Sequence, residues 1–126
     1  MKNFVNKVRN TPGGSRVLNC ILCGSCTACC PVNEIDDDYN PRAIMRMVLL
    51  DMEEDVLKSD ELWKCNQCHA CVSHCPQDVR FADIARALRD IAIEKGYRDK
   101  ALLEKVKQFD EELKRERLSK IKGELA

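Results

Sequence analysis

The chain has 126 residues with 21 basic and 21 acidic side chains, so it is formally neutral. One domain is the expectation at this length, and the charge balance argues against nucleic acid or an anionic membrane as partner. Aromatic residues are scarce and nine cysteines are far above background, so thiol chemistry has to supplement a thin apolar core.

Taken in chain order, the opening stretch MKNFVNKVRNTPGGSR has no apolar run of signal-peptide length. Residues 1–15 read as a loosely held N-terminal extension. The longest uncharged stretch, Val17 to Asn33, is full of cysteine and too short and irregular to span a bilayer. The expectation is a cytoplasmic protein without direct membrane insertion, whose cysteines are thiolate ligands rather than disulfides. Within that stretch stands the first motif, Cys20-x2-Cys23-x2-Cys26-x3-Cys30-Pro31. Asp36-Asp37-Asp38 reads as a solvated loop, with steering of a docking partner as the alternative. Asn40-Pro41 is a helix start, a capping residue followed by proline at the first helical position. From there PRAIMRMVLLDMEEDVLKS carries Ile44, Met45, Val48, Met52, Val56 and Leu57 at helical spacing. Met45, Met47 and Met52 read as core fillers, with an adaptable docking face as the alternative.

Ser59-Asp60 caps a short turn that carries Leu62 and Trp63 into the second motif, Cys65-x2-Cys68-x2-Cys71-x3-Cys75-Pro76. After it, FADIARALRDIAIEK puts Phe81, Ile84, Leu88, Ile91 and Ala92 on one helix face, and Gly96 is a natural C-terminal stop. The stretch DKALLEKVKQFDEELKRERLSKIKG then places Leu102, Val106, Phe109 and Leu113 opposite a charged face. Such an amphipathic helix packs on its own domain or docks on a partner. No segment alternates with period two. The fold class predicted is all-α: a helical domain over 1–98 with two cysteine-rich loops, and a charged C-terminal helix over 99–126.

The two motifs share the same spacing down to the proline. C-x2-C-x2-C-x3-C-P is the bacterial-type ferredoxin run for cubane 4Fe–4S clusters. A cubane offers four irons at the corners of a tetrahedron. Two-residue gaps let a tight loop present three thiolates to three corners and aim backbone N–H groups at the sulfides. In two-cluster ferredoxins the fourth cysteine ligates the other cluster. That rule assigns Cys20, Cys23, Cys26 and Cys75 to one cluster and Cys65, Cys68, Cys71 and Cys30 to the second. Two 4Fe–4S clusters are therefore the expected cofactors, and metal binding is expected to be part of folding.

Several readings compete with parts of this one. Structural zinc favours two well-separated C-x2-C pairs per site, which the crowded x2-x2 spacing does not match. Cys29 has no counterpart in the second motif, where His74 precedes Cys75. It reads as a small buried residue beside the cluster, with a spare ligand or redox-sensitive thiol as the alternative. His69 and His74 read as loop residues that could tune the second cluster by hydrogen bonding. No residue resembles a substrate-directed acid, base or nucleophile, so no substrate chemistry is expected on this chain alone. Electron transfer is the function this pattern supports.

The residues GSCTACCP, NPRAIMRMVLLDMEEDVLKSDELWKC and CVSHCPQDVRFADIARALRDIA together resemble the C-type iron–sulfur subunits of heterodisulfide reductase, over roughly Asn19 to Gly96. That family is similar in fold to the α-helical ferredoxin domain of succinate dehydrogenase's iron–sulfur subunit and distinct from the small βαβ ferredoxins. The resemblance implies an electron-transfer subunit of a heteromeric heterodisulfide-reductase-like complex. It would work between a flavin-containing A-type subunit and a disulfide-reducing, catalytic B-type subunit. A free diffusible dicluster ferredoxin, or an electron-transfer subunit of a related oxidoreductase complex, is the alternative. The catalytic subunit's own motif is superficially present, as Cys29-Cys30 followed after 34 residues by Cys65-x2-Cys68. It also calls for a cysteine some thirty-odd residues before the pair, and only 28 residues precede Cys29.

Overall fold

The computed structural model describes residues 3–126, and among these there are helices and no strands. The order is α1 (Asn3–Asn10), a 3-10 turn (Val17–Asn19), α2 (Ser25–Ala28), α3 (Pro31–Ile35), α4 (Pro41–Leu49), α5 (Glu53–Leu57), a second 3-10 turn (Glu61–Trp63), α6 (Ala70–His74), α7 (Phe81–Glu94) and α8 (Lys100–Leu125). The all-α expectation is met.

Helix α7 is the centre of the molecule. Phe81, Ile84, Leu88 and Ile91 are buried along it, and Ala82, Ala85, Ala87 and Ala92 leave room for neighbours to approach closely. α1, α5 and α6 pack on it. Gly96 ends it as expected: with φ of 82° it lets the Tyr97 N–H reach back to the Ala92 carbonyl, 2.9 Å away. That reversal is the Schellman geometry, which glycine adopts without steric cost.

The N-terminal segment is not a loose extension. Phe4, Val5 and Val8 on α1, with Val17 beyond it, are all buried in the core. Pro12-Gly13-Gly14 makes the turn that folds this segment back. A side chain at Gly14 would bring a Cβ to 2.0 Å from the Val8 carbonyl oxygen, so only glycine fits. Composition hid this packing because the stretch is polar outside its three apolar positions, and eight residues make a helix too short to hold alone.

The continuous helix expected from Pro41 breaks into α4 and α5. Asp51 takes a left-handed φ of 61°, and the Met52 N–H returns to the Met47 carbonyl at 3.0 Å. The cost of that conformation for a non-glycine residue is offset by what the side chain then does. Its Oδ1 accepts the Phe4 N–H at 2.8 Å and the Val5 N–H at 3.2 Å, capping the start of α1. The break also turns Met52 outward, so it is not a core filler, whereas Met45 is buried and Met47 packs against the core.

α8 starts at a side-chain cap, Asp99 accepting the Ala101 N–H at 3.1 Å. Leu102 and Val106 are half-buried, but Phe109 and Leu113 are exposed, as are Leu118 and Leu125 beyond them. Of the two roles expected for this helix, packing on its own domain is met only in its first turns.

Candidate metal centres

The two cysteine loops are backbone copies of one another. Leu22 and Gln67, two residues after the first cysteine of each motif, both have φ of 57°. Each turns its own N–H onto that cysteine's sulfur, Leu22 to Cys20 Sγ and Gln67 to Cys65 Sγ, at 3.4 Å in both cases. Gly24 and His69, one after the second cysteine, are again both left-handed. Short helices α2 and α6 follow, and each loop leaves through an extended cysteine, Cys30 at φ −75°, ψ 120° and Cys75 at φ −73°, ψ 119°. Proline after each extended cysteine favours that conformation.

α2 and α6 pack against each other, which brings the ends of the two loops side by side. Cys20, Cys23, Cys26 and Cys75 line one pocket with about 400 Å³ of empty space, mouth included. Cys71 borders it too, and Arg42, Met45 and Phe81 complete part of its wall. Cys75 thus stands with the motif-one cysteines, not only with its own loop. On the other side, Cys30 and Cys65 both neighbour the buried Tyr39, and Cys71 feels the charges of Cys65, Cys29 and Cys26. Cys68 is exposed, and Cys29 lies close enough to feel its charge. Cys29 is half-buried rather than buried, and its thiol donates to the Cys26 carbonyl at 3.5 Å. His69 and His74 are exposed, and His74 Nδ1 bonds to the Ala70 carbonyl oxygen at 2.9 Å.

Among the described residues, no three His, Cys, Asp or Glu side chains are grouped closely enough to hold a single metal ion. Tetrahedral zinc would need four sulfurs about 3.8 Å apart, from its ~2.3 Å bonds. Thiols spaced round a pocket fit instead a multi-atom inorganic core held at its corners. The donor chemistry agrees, because N–H groups already point at sulfurs Cys20, Cys65 and Cys75, the last from Val79 at 3.4 Å. Burial raises the thiols of Cys20 and Cys26 above their ordinary range, with the like charge of neighbouring cysteines adding to it. Burial pushes Cys71 up to about 11 against an opposing hydrogen bond from the Ala82 backbone. Cys23 is lowered by the Ser25 side chain. Buried thiols hold protons until a metal displaces them, so loading releases protons.

Four residues of the surroundings were not singled out from the sequence. Thr27 Oγ1 donates to Asn40 Oδ1 at 2.8 Å and accepts the Arg42 N–H at 3.0 Å, tying motif one to the capped start of α4. Arg42 Nε donates to the Leu22 carbonyl at 2.7 Å. Arg89 is buried on α7 and donates to the carbonyls of Leu62, at 3.2 Å, and Cys65, at 2.8 Å. Tyr39 is buried beside Cys65, and burial followed by that thiol's charge drives its hydroxyl far above the ordinary tyrosine range. A signal existed for Arg89: it lies next to Leu88 and three residues before Ala92, so a helix drawn on paper already puts a cation at the edge of the apolar face.

Paired cysteine loops on a helical frame define a helical dicluster iron–sulfur protein. Residues 16–79 match the 4Fe-4S dicluster domain family, and the chain belongs to it. More particularly, it is similar to the C-type iron–sulfur subunit of CoB–CoM heterodisulfide reductase from Methanopyrus kandleri. The two are 43% identical over 85 residues, covering 68% of this chain and 44% of that one. The second C-type iron–sulfur subunit of the same enzyme from Methanocaldococcus jannaschii is 40% identical over 104 residues, covering 75% and 54%. The C-type subunit of ferredoxin:CoB–CoM heterodisulfide reductase from Methanosarcina acetivorans is 39% identical over 88 residues, covering 70% and 35%. The expected resemblance to these iron–sulfur subunits is borne out. The chain spans about half the length, or less, of these relatives. Among the described residues no helix is long and apolar enough to cross a membrane.

Proposed function

We propose that this chain is the electron-transfer subunit of a cytoplasmic heterodisulfide-reductase-like complex, working between a flavin-containing subunit and a disulfide-reducing catalytic subunit. The observation that supports the reading is that Cys75 lines one pocket with Cys20, Cys23 and Cys26, with Cys71 at its border. In this reading those four hold one 4Fe–4S cluster, and Cys65, Cys68, Cys71 and Cys30 hold the second. When bound, such clusters supply one-electron redox chemistry without bond making. The chain's residues position and shield. Backbone N–H groups neutralise sulfur charge, α2 against α6 keeps the sites adjacent, and the exposed Cys23 and Cys68 mark where each comes nearest the surface. Residues 1–98 form the cluster-binding domain, and residues 99–126 supply a helix that docks on another member of the complex, a role supported by its exposed Phe109 and Leu113.

The test is anaerobic preparation with iron and sulfide analysis, followed by pull-down at native levels. Two cubanes per chain, with a flavoprotein and a disulfide reductase retained together, are expected. Zinc in place of iron and sulfide would end the reading. Two clusters on a chain that runs alone as a monomer would favour the free carrier.

A further inference from the structure

The two loops match in backbone and in exposure, yet not in what surrounds their first cysteines. In both motifs the second cysteine is exposed and the other three are half-buried. Solvent access, which ordinarily shifts cluster potentials, is therefore balanced between them. Counted by site, the N–H bonds to sulfur are two and two, from Leu22 to Cys20 and Val79 to Cys75 at the motif-one site and both from Gln67 to Cys65 at the motif-two site, so the second site keeps pace only through the Gln67 side chain. Cys20 Sγ accepts one N–H, from the Leu22 backbone, and the Leu22 side chain has none to offer. Cys65 Sγ accepts the Gln67 backbone N–H at 3.4 Å and lies 3.5 Å from Gln67 Nε2, which is held in place by the Ala82 carbonyl at 3.0 Å.

Charge is what differs between the sites. The cation near motif one, Arg42, is exposed, and water screens its field at Cys20 and Cys23. The cation near motif two, Arg89, is 3% exposed, bonded to the Cys65 carbonyl and lying 5.3 Å over the Trp63 ring. A guanidinium remains ionised when buried. Among the described residues no carboxylate makes an ion pair with it, and its acidic neighbour Asp110 stands further off, on α8. An uncompensated buried charge is costly, and the anion that faces this one is the Cys65 side of the second site.

We propose that Gln67 and Arg89 make the Cys65–Cys68–Cys71 site the more easily reduced of the two, so that electrons entering at the motif-one site come to rest on the motif-two site. This rests on the electron-transfer reading above. Reduction adds one negative charge to an anionic thiolate-bound cluster. A sulfur-directed N–H and a desolvated cation stabilise the reduced form more than the oxidised one. Each step takes up one electron from a donor such as a reduced flavin, with no bond formed or broken. Gln67 and Arg89 act through Cys65 and are positioning residues.

The experiment is a potentiometric titration of the full chain with dithionite, followed by EPR. Cys68→Ser serves to identify the motif-two signal by its altered g values. In the native chain two one-electron steps are expected, the motif-two site reducing first. Gln67→Leu, which copies Leu22 of motif one, moves only that step to lower potential. Arg89→Gln moves it further, and the double variant brings the two steps together. Arg89→Lys keeps the charge and retains most of the native separation, which a merely structural role would not predict. The proposal falls if the motif-one site reduces first, or if Gln67→Leu and Arg89→Gln leave the separation unchanged. Should Arg89→Gln not load clusters, Gln67→Leu at its half-exposed loop position decides alone. A native chain with no reducible cubane sinks the electron-transfer reading itself, before any variant is compared.

Discussion

Motif one and motif two teach how far a repeat can be the same and still do different work. Their sulfur-directed N–H groups lie at the same 3.4 Å and their exit dihedrals agree within a few degrees. Their supports are unlike. Motif one leans on a side-chain relay at the surface, Thr27 to Asn40 and Arg42. Motif two leans on the central helix, through a buried guanidinium and a clamped glutamine. Local spacing sets the loop, and the neighbour sets its electrostatics.

The largest effect should erase the comparison altogether. If the clusters tie the two loops together as proposed, anaerobic iron chelation should collapse the fixed near-ultraviolet dichroism of the domain. An apo chain with an unchanged melting profile would contradict the coupling of metal to fold. Next comes the reciprocal exchange. Cys75→Ser should alter the EPR signal of the site built by motif one, and Cys30→Ser that of the site built by motif two. Variants that each perturb only their own loop's signal would return each fourth cysteine to its own motif.

Smaller effects separate the two supports. Arg89→Ala leaves two carbonyls without their donor in the interior and should cost about 2–3 kcal/mol in denaturant unfolding of the holoprotein. Arg42→Ala, at an exposed site, should cost about 0.5 kcal/mol. Equal losses would show that burial is not what distinguishes the two arginines. Thr27→Val should cost about 1 kcal/mol and loosen motif one first, read as faster hydrogen exchange at Ala43 than at Ala82.

The smallest effect concerns pH. Lys64, which leads into motif two, pairs with Asp36 at 2.7 Å, and this holds the Asp36 carboxyl below its ordinary range. A depressed carboxyl contributes stability that is complete above the ordinary carboxylate range and is lost as pH falls through the lowered value. Asp36→Asn should therefore cost a little stability at neutral pH, flatten the acid limb of the profile, and match the native chain once pH falls below the lowered value. A loss of the same size persisting at low pH would mean that Asp36 acts through something other than its charge.

Much of the frame was legible beforehand. Asn40 caps α4 through Ala43 at 3.1 Å, Pro41 opens it, Gly96 closes α7, and the apolar face of α7 is buried where its periodicity put it. These are local rules, in which the residue and the bond it makes lie within a few positions. What escaped was long-range. Asp51 sits in a stretch with flawless helical spacing, yet it breaks that helix because its carboxylate is wanted 47 residues away at Phe4. The N-terminal stretch reads as loosely held from sequence because the three apolar residues of α1 gain burial only against helices contributed later in the chain.

By itself the sequence determined the chemistry, since cysteine spacing dictates which loop can present thiolates to a cubane and the repeat dictates that there are two such loops. Only the tertiary structure decided which cysteine faces which pocket, that Cys29 stays half-exposed, and that one loop is backed by a buried cation while the other is not. The reason is physical. A loop's bonds to its own sulfur are set by neighbouring dihedrals, whereas desolvation and field at that sulfur depend on whatever the rest of the chain packs against it.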